Sequence, residues 1–229
     1  MTDTVPGITL PFKAIRTRLP EGMRDRISAQ IPPGGKKGVY ELFIADGRLA
    51  REIMTVFTLY IAPTIERQYA ERVYVWPQIS TARHNTPDAT DFHRWHTDAG
   101  FFDLLASRGT TVWLPFDDVG RDAPSLEFTV GGRVVTPALT PGAALAFGMD
   151  IPHRTQTIAG TRISIDLRMA PISRLTPEVD AAARFHIDVQ DGAVGFSYVA
   201  SDHAWEQFVP VPGAIDPLAA ATTSQGPSQ

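Results

Sequence analysis

From residue 73 onward the chain breaks into short runs rich in Val, Ile, Thr and aromatic residues: "RVYVWPQIS", "GTTVWLPFDDV", "SLEFTV", "RVVTPALT", "AALAF", "HRTQTI" and "TRISIDLRM". Clusters of Pro, Gly and Asp separate them. That spacing predicts a β-sandwich or barrel, because each run is long enough for one strand and too short for a buried helix. A further pair, "ARFHIDV" and "GAVGFSYV", flanks "QDG" and predicts a hairpin. Upstream lies one long helical pattern over 47–72, in which Leu49, Ile53, Val56, Phe57 and Tyr60 form a single apolar stripe. Pro63 is expected to break or kink that helix. The expectation is an all-β core over about residues 73–170 with flanking helices. It belongs to a single domain over 1–212, with the small, polar residues 213–229 as a flexible tail.

Composition narrows the class of function. Hydrophobic residues make up 43% and charged residues 20%, as in ordinary globular domains. The formal net charge is −4, and no Lys/Arg run offers a surface for phosphates, so a nucleic-acid partner is not expected. "PPGGKK" (32–37) lacks the Gly-Lys-Ser/Thr context of a phosphate loop and reads as a turn. The absence of cysteine excludes disulfides, thiolate metal sites and cysteine nucleophiles, so any metal must be held by imidazole and oxygen. No basic segment followed by an apolar core opens the chain, and no apolar run approaches the roughly 18 residues of a membrane span. A cytoplasmic protein without a membrane partner is expected; the oligomeric state is left open.

"FHRWHTDAGFF" (92–102) concentrates two of the six histidines beside an aspartate. On a strand or strand end, His96 and Asp98 project to one side, with Thr97 opposite. An imidazole nitrogen and a carboxylate oxygen aimed together suit a divalent metal of intermediate softness. A third ligand is offered by His153, which follows the apolar run "GAALAFGMD". In "AGTRISIDLRM" (159–169), Ile163, Ile165 and Leu167 alternate with Arg162, Ser164, Asp166 and Arg168. A solvent-facing polar side would account for that alternation. A two-residue Ala159-Gly160 turn, however, pairs His153 with Asp166 and puts the arginines on the histidine's face.

His96-x-Asp98, the distal His153 and Arg162-x-Ser164 together resemble the non-heme Fe(II)- and 2-oxoglutarate-dependent dioxygenases. "TVWLPFDDV", "PSLEF" and "PGAALAF" are similar in phrasing to the phytanoyl-CoA-dioxygenase-like branch and its bacterial tailoring enzymes. The resemblance covers roughly residues 73–170 and implies a double-stranded β-helix, or jelly roll. It makes His96, Asp98 and His153 the iron ligands, with 2-oxoglutarate and dioxygen as cosubstrates. It makes Arg162, with Ser164, the clamp on the distal carboxylate of 2-oxoglutarate. Arg168 competes for that role, since parity cannot separate the two; the Arg-x-Ser pattern favours Arg162, and Asp166 would tether the other. The intact Asp98 implies hydroxylation, desaturation or oxidative cyclisation of an aliphatic C–H, where family halogenases carry a small residue instead.

Other residues are weighed beside this set. Arg83, Thr111, Trp113, Phe147 and Met149 are candidates to touch substrate. His93, His84, His186 and His203 read as structural or surface histidines. The acidic balance and Asp117-Asp118 lean toward a small, polar, neutral or cationic substrate, of the kind met in antibiotic biosynthesis. A cupin-like metal enzyme of another reaction type and a non-enzymatic ligand-binding barrel are the alternatives. Two arginines facing inward count against the former, and a complete ligand set against the latter.

Overall fold

A computed structural model describes residues 10–75, 79–88, 94–100, 109–171 and 173, together with the backbone of 184–190, 193–200 and 203–208. The chain opens with β1 (Phe12–Arg16), α1 (Met23–Ser28), β2 (Lys36–Gly38) and α2 (Val39–Ala45). There follow α3 (Gly47–Val56), a π-helical turn (Phe57–Ile61) and α4 (Ala62–Tyr69). The strands then run as β3 (Val73–Val75), β4 (Thr81–Asn85), β5 (Thr110–Pro115), β6 (Leu126–Val130) and β7 (Arg133–Val135). Next come β8 (Ala143–Gly148), β9 (His153–Thr155) and β10 (Arg162–Pro171). The last are β11 (Arg184–Gln190), β12 (Ala193–Ala200) and β13 (His203–Phe208). The architecture is mostly β with few helices, as the sequence predicts.

Among the described residues the strands form two sheets. The larger holds ten strands in the order β1-β8-β5-β10-β3-β11-β12-β13, with β4 also on β10 and β2 on β4. The smaller holds β7-β6-β9. Strand β10 organises the larger sheet: one edge pairs with β5, while the other takes β4 along Arg162–Asp166 and β3 along Met169–Pro171. All ten residues of β10 are buried. Its polar face therefore does not look at solvent, and the bland account of its alternation fails. Ile163, Ile165, Leu167 and Met169 pack into one apolar cluster with residues of α1, α3 and α4. The opposite face looks toward the smaller sheet, where Trp113, Leu145 and Phe147 join Leu126, Phe128 and Val130 in a second cluster. β11 and β12 pair antiparallel, as expected around "QDG".

The 47–72 helix is interrupted rather than broken. The Asp46 carboxylate caps α3 by accepting the Leu49 N–H at 2.9 Å. Leu49, Ile53, Val56 and Phe57 are buried as the stripe requires, while Tyr60 is half-buried against the same cluster. Pro63 stands near the start of α4 and has no N–H to donate, and the preceding turn widens to π geometry at Phe57–Ile61. The helix is thus re-aimed without exposing its apolar side.

One local reading is corrected. β9 and β10 do not form a hairpin, so His153 does not pair with Asp166: β9 pairs with β6, placing His153 opposite Phe128. The Gln156 N–H donates to the Ser125 carbonyl, and its side chain accepts from the Ser125 N–H, which holds the chain on the smaller sheet past the end of β9. β1 and β2 went unread because each is short and carries two basic residues; β1 is fixed by its pairing to β8. The 213–229 tail lies outside the described residues.

Phe57 is almost wholly buried where the helix meets the larger sheet. Phe57→Ala is expected to cost about 3–5 kcal/mol of unfolding free energy in a urea titration, as for other large buried aromatics. A loss below about 1 kcal/mol would mean the helix does not pack there.

Candidate active site

Two backbone hydrogen bonds assemble the site. The His96 N–H donates to the His153 carbonyl at 3.1 Å, and the His153 N–H donates to the His96 carbonyl at 2.9 Å. This bridge ties the segment before Asp98 to β9 and sets the two imidazole rings 4.5 Å apart, centre to centre. Asp98 then opens a short 3₁₀ turn, Asp98–Gly100, which the Ala99 N–H anchors to the Met149 carbonyl. His96 and Asp98 therefore converge through a turn, not through the alternation of a strand. His96 Nε2 lies 3.9 Å from Asp98 Oδ1, and one donor atom from each of His96, Asp98 and His153 falls within 4.8 Å of the others.

Both rings are oriented through their other nitrogen. His96 Nδ1 sits 2.7 Å from the Arg94 carbonyl and His153 Nδ1 sits 2.9 Å from the Ile151 carbonyl. A carbonyl can only accept, so Nδ1 carries the proton in each ring and Nε2 presents its lone pair. Two imidazole nitrogens and one carboxylate oxygen at this spacing fit a divalent metal with three protein ligands and open positions beside them. Phe147 stacks edge-on to His153 at 4.8 Å and limits its rotation.

Asp98 is held on both oxygens. The Thr111 hydroxyl donates to Oδ2 at 2.5 Å, and Arg168 Nη2 donates to Oδ1 at 2.9 Å. Arg168 is itself tied to Asp166 by a short ion pair. Burial opposes ionisation of Asp98, but Arg168, His153 and the Thr111 hydroxyl outweigh it and hold the carboxyl below its ordinary range. Burial pushes the His153 pKa down, against the pull of Asp98, so the ring stays neutral.

Arg162 lies deeper and differs from Arg168 in its partners. Its Nη1 donates to the Pro124 carbonyl at 2.7 Å and its Nη2 to Asn85 Oδ1 at 2.8 Å. No carboxylate among the described residues forms an ion pair with it, and its Nε has no hydrogen-bond partner. The Trp113 ring lies 5.2 Å beneath the guanidinium. Burial, then the charge of Arg83, lower its pKa to about 9, which leaves it cationic at neutral pH. The Ser164 hydroxyl, on the same face of β10, is also buried without a partner. Two orphaned polar groups on one wall suit an oxygen-rich anion.

Most of these residues, though not Ser164, share one cleft. It is lined by Arg83, His96, Asp98, Thr111, Trp113, Leu126, Phe147, His153, Thr155, Arg162, Asp166 and Arg168. Four of the five substrate candidates, Arg83, Thr111, Trp113 and Phe147, thus reach the cleft. Met149 does not: its sulfur packs where a side chain on Gly109 would otherwise sit. Asp117 and Asp118 are also absent from the lining; Asp117 accepts from Arg24 and from the Ile163 N–H. His84 is structural, its Nδ1 3.2 Å from the Ile31 carbonyl. His93 and the side chains of His186 and His203 lie outside the described residues. Asn85 and Thr155 went unread in the sequence; Asn85 had a signal in the parity of β4, two residues from Arg83.

No family model matches the chain, and no curated protein matches it in sequence. Solved structures do match in fold. The "non-heme alpha ketoglutarate dependent epimerase SnoN from nogalamycin biosynthesis" superposes with a TM-score of 0.54 at 14% identity, over 70% of this chain and 78% of that one. The "non-heme alpha ketoglutarate dependent carbocyclase SnoK" of the same biosynthesis gives 0.53 at 12%, over 73% and 87%. EctD from S. alaskensis, solved with bound Fe, gives 0.52 at 11%, over 72% and 74%. At such identities the likeness is one of fold. Among the described residues no helix is long and apolar enough to cross a membrane.

Thr111→Val keeps the shape of the side chain and removes the bond to Asp98. It is expected to weaken Mn(II) binding by about 10- to 100-fold in calorimetric titration, the usual effect of losing a group that orients a ligand. The shifts of His153 and Asp98 act in one direction, because the unfolded chain binds more protons than the folded one. The metal-free protein should lose stability as pH falls below 6.5, the ordinary histidine value, and again below 3.8, the ordinary aspartate value. Thermal unfolding against pH checks this, and His153→Gln should remove the upper step.

Proposed function

We propose that the chain is a non-heme Fe(II)- and 2-oxoglutarate-dependent oxygenase of the phytanoyl-CoA-dioxygenase-like branch, built on a double-stranded β-helix. It oxidises an aliphatic C–H of a small polar metabolite by hydroxylation, desaturation or oxidative cyclisation, in the cytoplasm and within bacterial secondary metabolism. The observation that carries this reading is the meeting, in one cleft, of a two-histidine, one-carboxylate ligand set with a buried arginine that has no carboxylate partner. The fold-level likeness to SnoN, SnoK and EctD supports it. So does the SnoN complex with Fe3+, alpha ketoglutarate and nogalamycin RO.

His96 and His153 would hold the metal through Nε2, since each Nδ1–H is committed to a backbone carbonyl. Asp98 would bind through Oδ1, the oxygen that faces His96 Nε2, using the lone pair that Arg168 leaves, while Thr111 holds Oδ2. Arg162 and Ser164 would take the distal carboxylate of 2-oxoglutarate, the anion that their orphaned donors lack. Arg168 would stay on Asp98 and Asp166, holding the ligand carboxylate ionised and in place. Trp113, Leu126 and Phe147 keep bulk water from the reacting C–H. Bound iron with 2-oxoglutarate and dioxygen supplies the oxidising power, with succinate and carbon dioxide as coproducts.

Anaerobic Fe(II) with 2-oxoglutarate should give the weak visible charge-transfer band of a chelated keto acid. Asp98→Ala should abolish both the band and succinate release. Retention of both would refute the ligand set. Arg162→Ala should raise the apparent KM for 2-oxoglutarate by about one to three orders of magnitude, the range for losing a buried charge-assisted contact. Arg168→Ala should raise it less; the reverse order would transfer the clamp to Arg168.

A further inference from the structure

The three metal ligands are not held alike. Asp98 is gripped by Thr111 and Arg168, and His153 lies in β9 with Phe147 against its ring. His96 lies outside the named strands and is joined to the smaller sheet by its backbone exchange with His153. Its side chain is 18% exposed, against 2% for Asp98. Because the Arg94 carbonyl orients the His96 ring, both the place and the tautomer of this ligand depend on the course of residues 94–96. Two backbone hydrogen bonds are a small tie for a segment with that task.

The outer face carries a second tie. In the antiparallel bridge between His96 and His153, Trp95 falls opposite Arg154, which in turn falls opposite Glu127 on β6. The inner row across these strands is therefore His96, His153 and Phe128, and the outer row is Trp95, Arg154 and Glu127. The Arg154 guanidinium lies 4.9 Å from the centre of the Trp95 ring, within the range of a cation–π contact. Arg154 Nε donates to Glu127 Oε2 at 2.6 Å, which holds the guanidinium over that ring. Trp95 is 38% exposed and belongs to neither apolar cluster, so core packing does not account for its place. None of the three outer residues lines the cleft.

We propose that Arg154 is a positioning residue for the metal centre: anchored by Glu127, it clamps Trp95 and so locks His96 in register with His153. It acts through the backbone of residues 94–96. The proposal rests on the oxygenase reading above for the metal, while the lock itself is a property of the metal-free chain.

The test reads the lock and the metal separately. The lock is read as hydrogen exchange of the His96 amide, by NMR on metal-free protein labelled with 15N-histidine, and the metal by calorimetric titration with Mn(II). R154M keeps an apolar stem and removes the charge. It should speed exchange at His96 and weaken Mn(II) binding, each by about 3- to 30-fold, the range of a cation–π contact. R154K keeps the charge and should lie closer to wild type than R154M on both measures. W95L should behave as R154M does, and W95L/R154M should lose no more than the worse single variant, because each acts through the same contact. The His84 amide, which donates to the Gly35 carbonyl beside β4, is the control in the same spectrum and should not change. Additive losses, or His96 exchange unchanged within about twofold in R154M, would overturn the proposal. So would a loss that R154K repeats in full, an equal acceleration at His84, or Mn(II) affinity that holds while His96 exchange quickens. Wild-type protein that bound no Mn(II) would refute the oxygenase reading, and the exchange measurement would still decide whether Arg154 locks His96.

Discussion

The site depends on one backbone bridge, in which His96 and His153 exchange N–H···O=C hydrogen bonds. That exchange fixes two imidazoles side by side without using either ring, so the rings remain available for other work. It also joins a segment that is otherwise outside the sheets to the edge of the smaller sheet. The larger sheet then supplies most of the remaining lining from its inner face: Thr111 and Trp113 from β5, Phe147 from β8, and Arg162, Asp166 and Arg168 from β10. The helices on the other face of β10 bury Ile163, Ile165, Leu167 and Met169. Because apolar and polar residues alternate along one buried strand, the same packing that stabilises the fold presents the charged groups to the cleft.

The two arginines of β10 show how partners assign roles to chemically identical groups. Arg168 is paired twice, with Asp98 and with Asp166. Arg162 is satisfied only by neutral acceptors and by the face of Trp113. A buried guanidinium with no carboxylate in direct contact gains when an anion arrives, which is why the proposed clamp falls on Arg162. Sequence parity places both on one face and cannot distinguish them; the location of Asp98 does.

Much of this was legible in the sequence, and the reasons are physical. The triad stood out because a chain without cysteine must bind metal with His and carboxylate, and few other uses bring those residues together. The alternation of β10 was readable because strand side chains repeat every second residue. Pairing was less legible. The Ala159-Gly160 dipeptide is a plausible turn locally, but Gln156 binds Ser125 and keeps β9 with β6 instead. Neighbourhood in sequence also misled at Met149, which packs behind Gly109, and at Asp117-Asp118, neither of which lines the cleft; Asp117 accepts from Arg24 and a backbone N–H. β1, β2, β4 and the last strand, β13, were missed because short strands interrupted by charged or polar residues take their structure from a partner edge rather than from their own pattern.

The most direct test of the account is a crystal structure of the anaerobic Fe(II)·2-oxoglutarate complex with the metal identified by anomalous scattering. The expected result is iron bound by His96 Nε2, Asp98 Oδ1 and His153 Nε2, with the keto-acid end of 2-oxoglutarate on the metal and its distal carboxylate against Arg162 and Ser164. Metal outside that triad, or a distal carboxylate resting on Arg168 with Arg162 still bound only to Pro124, Ser125 and Asn85, would contradict it.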